Sequence, residues 1–141
     1  MITIINGPNL NLLGKRQPEI YGSQTFESFL PKLREQFPDT PIEYFQSNSE
    51  GEIIDKLHHL GYDSPECKGI VINPGAYAHY SYAIADAIAS ISIPVVEVHI
   101  SNITSREDFR KKSVTAPFCK GIISGCGLFG YNMAVSFLLS L

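Results

Sequence analysis

Two hydrophobic periods alternate along this chain, and that alternation constrains its fold more than any other feature. Short runs rich in β-branched residues read as strands: "ITII" (2–5), "IEYF" (42–45), "GIVIN" (69–73), "PVVEVHI" (94–100) and "KGIIS" (120–124). A helical pattern follows each. Phe26, Phe29, Leu30, Leu33 and Phe37 recur at helical spacing, with Pro31 acceptable if the regular turns begin near Ser28 and a source of a kink otherwise. "SEGEIIDKLHHLG" has the capping-box spacing of Ser49 and Glu52 and closes at Gly61. "SYAIADAIASI" carries Ala83, Ile84, Ala87, Ile88 and Ile91 on one stripe. "SREDFRKKS" reads as a short charged helix capped by Ser105, and "GLFGYNMAVSFLLSL" as a helix apolar on most sides. Repeated βα units make a parallel sheet covered on both faces. Five of them in 141 residues predict an α/β, flavodoxin-like doubly wound sheet of order 2-1-3-4-5, as one domain over residues 1–141.

Composition narrows the function. A net charge of −3 lacks the basic footprint of a nucleic-acid binder. No run is long and apolar enough to span a bilayer, and the N-terminus lacks a secretory pattern. Three scattered cysteines, Cys67, Cys119 and Cys126, read as free thiols in a reducing, cytoplasmic setting. No His, Cys, Asp or Glu set has structural-zinc spacing.

In such sheets the ligand lies beyond the carboxyl ends of the strands. That rule gives Asn6 and Asn9, Gln46 to Asn48, Asn73 and His79, and His99 and Ser101 a common address. The long aperiodic stretch "INGPNLNLLGKRQPEIYG" after the first strand is expected to fold over the same rim and bring Arg16 and Tyr21 with it. A guanidinium beside a phenol favours the ionised form; the plainer reading is a surface Arg and a packing Tyr.

Glu97 and His99 form the most specific local signal. Two apart in a strand, they share a face, while Val96, Val98 and Ile100 share the other. A buried carboxylate beside an imidazole would orient the ring and fix its tautomer, which suits a general acid; a structural ion pair is the alternative. "NPGAYAHYS" reads equally as a ligand-binding nest with Gly75 and His79, or as a turn with Ser81 as helix cap. His58 and His59 read as surface residues late in a helix. "GCGLFG" matches G-x-G-x-x-G, but the chain ends before the acidic ribose ligand such a site needs, so close helix–strand packing is the better account. Arg106 and Arg110 share a helical face, and either could reach a substrate anion. A flavin or phosphoryl-signalling module would want a Ser/Thr-rich loop after the first strand or an Asp ending the third; "NGPNLN" and Asn73 stand there instead.

"INGPNLNLLGKRQPEIYG", "INPGAYAHYS" and "VEVHISNITSREDFRKKS", in this order, resemble the type II 3-dehydroquinate dehydratases over nearly the whole chain. The resemblance implies a cofactor-free and metal-free hydro-lyase acting on 3-dehydroquinate, in the shikimate pathway or in quinate breakdown, assembled as a homododecamer of trimers. It implies Tyr21 as base, Arg16 as the residue keeping it ionised, Asn9 as a holder of an enolate-stabilising water, and His99, set by Glu97, as acid. It also implies a substrate-binding set of Asn73, Gly75, His79, Ile100, Ser101 and Arg110, with Arg110 favoured over Arg106, and Asp86 reaching a neighbouring subunit's site. One departure is Gln17, where the family usually carries Glu; loop closure or the Arg16–Tyr21 pairing is the property it would affect.

Overall fold

A computed structural model describes residues 1–141. Five parallel strands, β1 (Ile2–Asn6), β2 (Ile42–Gln46), β3 (Gly69–Asn73), β4 (Val95–His99) and β5 (Gly121–Ser124), form one sheet in the order β2-β1-β3-β4-β5. The expected order is therefore the observed one, and chain order reverses between β1 and β3. The register sets Asn6 opposite both Gln46 and Asn73, and His99 opposite Ser124. The polar strand ends thus share one rim of the sheet.

Both faces are covered because the three central strands bury side chains on both sides. β1, β3 and β4 are buried throughout, as in parallel sheets generally. Helices α2 (Phe26–Gln36) and α5 (Phe129–Leu139) pack on the face bearing Ile4, Val71, Val96 and Val98. Helices α3 (Glu50–Tyr62) and α4 (Tyr82–Ser90) cover the opposite face, against Ile5, Ile70, Ile72 and Val95. Capping fixes where these helices start. The side-chain oxygens of Thr25, Ser49 and Ser81 accept from the amides of Ser28, Glu52 and Ile84.

Four local expectations need correction. Thr25 starts α2 at Phe26, so Pro31 lies inside the helix rather than in its first turn, and the Glu27 carbonyl lacks its usual amide partner. Gly61 does not end α3; it lies within its last turn, where Ile91 packs so close that a Cβ at 61 would come within 2.2 Å of Ile91 Cγ2. Ala83 faces outward, and Ala85 is buried in its place. "SREDFRKKS" is not an α-helix: the segment holds two three-residue 3₁₀ turns, Ile103–Ser105 and Asp108–Arg110. Asn102 Oδ1 accepts from the Thr104 amide (3.1 Å) and hydroxyl (2.6 Å), and Ser105 Oγ donates to the Asn102 carbonyl (2.9 Å). Such local bonds offer the backbone an alternative to the helix ladder.

The opening stretch is ordered as well. It contains a 3₁₀ turn, Leu10–Leu12, and a single helical turn, α1 (Pro18–Tyr21). Gly14, at φ +88°, bends it back so tightly that a Cβ there would meet the Ser23 carbonyl at 2.8 Å.

Candidate active site

The expected rim holds a cavity of about 110 Å³. It lies beyond the carboxyl ends of β1, β3 and β4, under the opening stretch. Asn9, Arg16 and Tyr21 line it from that stretch. Asn73, Gly75 and His79 line it after β3. His99, Ile100 and Ser101, with Arg106 and Arg110, complete it after β4. Glu97 stands behind His99, and Asp86 is exposed on α4, away from the cavity.

Tyr21 is held by charge. Arg16 Nη2 donates to its phenol oxygen at 3.1 Å and Arg106 Nη1 at 2.8 Å. Both guanidinium carbons also lie over the ring, 5.0 and 5.4 Å from its centroid. The phenol oxygen thus accepts charge-assisted hydrogen bonds from two guanidinium groups. The Arg16 bond forms with Gln at position 17, whose backbone (φ 41°) lies in the left-handed region and starts α1 at Pro18.

Across the cavity, His99 Nε2 donates to Glu97 Oε2 at 2.8 Å. Glu97 is fully buried and His99 nearly so. With Nε2 committed, Nδ1 is the imidazole nitrogen left for a ligand. His79 stacks beside this ring at 6.1 Å between centroids. Its Nδ1 donates to the Lys112 carbonyl (2.8 Å), so the neutral ring presents Nε2 as an acceptor. Burial pulls the His79 pKa below its ordinary value, the Lys112 bond opposes this, and the neighbouring His99 and Arg110 charges add to the lowering.

A buried polar relay sets Asn73. Its Nδ2 donates to the Tyr131 hydroxyl (3.0 Å), which donates to Asn6 Oδ1 (2.7 Å). Burial pushes the Tyr131 phenol pKa up, so it stays a donor. Asn73 Oδ1 accepts from the Gly75 amide at 3.1 Å, and Gly75 adopts φ +61° with the Pro8 carbonyl 3.1 Å from where a Cβ would sit. Arg110, the Arg favoured from sequence, pairs with Glu107 at 2.5 Å while lining the cavity. Arg106 makes the contacts that sequence reasoning missed, to Tyr21 and, at 3.3 Å, to Ser101 Oγ. Its one visible signal was the four-residue offset from Arg110.

In the glycine-rich "GCGLFG" the first and third amides are already engaged. Gly125 N–H donates to the His99 carbonyl (3.2 Å) and Gly127 N–H to that of Ile100 (3.0 Å). Gly130 lets α5 approach the sheet, since a Cβ there would lie 3.2 Å from Val98 Cγ1. No three His, Cys, Asp or Glu side chains are grouped as metal ligands.

A doubly wound sheet with a charge-held phenol and a carboxylate-backed imidazole on one rim cavity defines an α/β protein equipped for proton transfer. The class II dehydroquinase pattern matches residues 1–139, and the chain belongs to that family. It is 56% identical to a 3-dehydroquinate dehydratase of Clostridium botulinum strain Hall, over 99% of this chain and 94% of that protein. A Thermotoga petrophila 3-dehydroquinate dehydratase is 50% identical, over 97% and 93%. The crystal structure of a type II dehydroquinase from Butyrivibrio crossotus superposes with a TM-score of 0.93 at 51% identity, covering 98% of this chain and 96% of that one. That of Propionibacterium acnes gives 0.93 at 41% identity, covering 99% and 96%.

Proposed function

We propose that this chain dehydrates 3-dehydroquinate to 3-dehydroshikimate by anti elimination through an enolate. The observation that carries the reading is the Tyr21 oxygen, held by two guanidinium groups, lining the same small cavity as the Glu97-backed His99. The proton on carbon 2 is weakly acidic because the enolate that its loss leaves is shared with the ketone. Tyr21, as phenolate, takes that proton. Asn9, which lines the cavity, would hold a water on the enolate oxygen. His99, protonated and held by Glu97, gives its proton to the carbon-1 hydroxyl, which leaves as water while the carbon 1–carbon 2 double bond forms. General acid and base groups each contribute about 10²–10⁴-fold, and donors at the enolate oxygen can contribute as much.

Asn73, the Gly75 turn, neutral His79, Ile100, Ser101 and Arg110 would bind the ring hydroxyls and carboxylate. The opening stretch then acts as a lid that excludes water. The reaction would serve the shikimate pathway or quinate breakdown in a reducing cytoplasm, where the three unpaired cysteines persist as thiols.

Assembly as a homododecamer of trimers fits the reading. Asp86 is free to reach a neighbouring subunit's site, and Phe129, Met133 and Phe137 expose an apolar stripe along α5. Sedimentation should give a large oligomer; a stable monomer would remove this part.

The direct experiment mixes the protein with 3-dehydroquinate and follows the conjugated enone in the ultraviolet. Growth of that absorbance is expected. None from a folded protein would reject the reading.

A further inference from the structure

The segment Lys112–Thr115, between the Asp108–Arg110 turn and β5, has no part in the roles assigned above, yet it grips both cavity histidines. Its Lys112 carbonyl accepts from His79 Nδ1, and its Val114 amide donates to the Ala78 carbonyl at 2.7 Å, tying it to the His79 turn. Two side chains from the same segment reach Glu97. Ser113 Oγ donates to Glu97 Oε2 at 2.7 Å, and Thr115 Oγ1 donates to Oε1. No other group hydrogen-bonds to Oε1. Thr115 is itself fully buried.

The proton count defines the arrangement. Each hydroxyl has one proton to give, and both are directed at the carboxylate. The Ser113 oxygen, having given its proton, accepts from the Ala116 amide at 3.0 Å, which fixes its rotor. Glu97 thus receives three donors: Ser113, Thr115 and His99 Nε2–H. With both oxygens pinned from behind, the carboxylate cannot rotate to offer His99 a different geometry. The imidazole is left with its proton on Nε2 and with Nδ1 toward the ligand.

We infer that Thr115 and Ser113 are positioning residues that act through Glu97 to fix the tautomer and orientation of the His99 ring. This rests on the reading of His99 as the acid for the carbon-1 hydroxyl. Neither hydroxyl lines the cavity. Loss of either should therefore affect the proton-transfer step and spare substrate binding.

Thr115→Val keeps the shape and removes the hydroxyl. It should lower kcat about 10–100-fold, the range seen when a metal-ligating imidazole loses the partner behind it, with KM within about 2-fold of wild type. Thr115→Ser restores the hydroxyl and should recover most of the lost kcat. Ser113→Ala serves as a second variant should Thr115→Val fail to fold. Nitrogen NMR of the ring gives a readout independent of turnover: wild-type His99, when neutral, should be the Nε2–H tautomer, and the variants a mixture. Wild-type kcat in Thr115→Val, or lost activity with the tautomer unchanged, would overturn the inference. A wild-type protein inert toward 3-dehydroquinate would instead reject the functional reading, while the NMR comparison would still judge the positioning.

Discussion

Tyr21 receives its two guanidinium partners by different routes. Arg16 is five residues away on the same segment, so the chain supplies that contact locally. Arg106 is 85 residues away and arrives only because β4 ends beneath the opening stretch. Tyr21→Phe keeps the ring and the packing but removes the oxygen that both cations address. It should cut turnover by about 10²–10⁴-fold or more, while calorimetry still detects substrate binding; near-normal turnover would reject Tyr21 as the base. The thiols make a second residue-scale contrast. Burial, with the Glu97 charge adding, pushes the Cys119 thiol up to about 12, whereas Cys126 is exposed. Only the thiolate attacks. At pH 8 a disulfide reagent should therefore label Cys126 quickly and Cys119 very slowly, as mass spectrometry of the labelled peptides would read.

Among the elements, those whose ends are set by a neighbouring side chain matched their sequence signals best. Ser49 and Ser81 cap α3 and α4 as their spacing implied. One misreading fell where a distant partner decides. Gly61 resembles a helix stop, yet it is the place where α3 touches Ile91. Gly61→Ala should lower stability despite the better helix propensity of Ala, because overpacking costs about 1–3 kcal/mol against a gain of about 1 kcal/mol. Gly51→Ala is the internal control, since the nearest atom to its added Cβ is 3.8 Å away. Urea denaturation should separate the two, and an unchanged or raised midpoint in Gly61→Ala would contradict the close contact. The "SREDFRKKS" segment failed as a helix for a local reason instead. Asn102 and Ser105 bond to their own backbone, and the resulting turns let both Arg106 and Arg110 face the cavity without a continuous helix.

For the molecule as a whole, the carboxyl rim draws on β1, β3 and β4 with their following loops, so site integrity and global folding are linked. His79 couples them to pH. Its folded pKa lies below the unfolded value of about 6.5 because burial disfavours the cation. The unfolded chain then binds more protons as pH falls, so this contribution to stability is complete above the unfolded pKa and is lost as pH falls through the folded one. Wild type should lose more stability between pH 7.5 and pH 5 than His79→Gln does, as urea midpoints at each pH would report. An equal loss in both proteins would exclude the linkage.

The order of strands, the covering of both faces and the rim address of the polar residues were all present in the sequence. They follow from local periodicity, right-handed crossovers and the twofold repeat of a strand, none of which needs a distant residue to be known. The same repeat placed Glu97 and His99 on one face of β4. What only the tertiary structure decided are contacts between segments far apart in the chain: Arg106 on Tyr21, Tyr131 on Asn73, and Thr115 on Glu97. Their partners are 85, 58 and 18 residues away. A hydroxyl or guanidinium carries no local mark of the group it will meet, because that meeting is set by how the strands and helices pack.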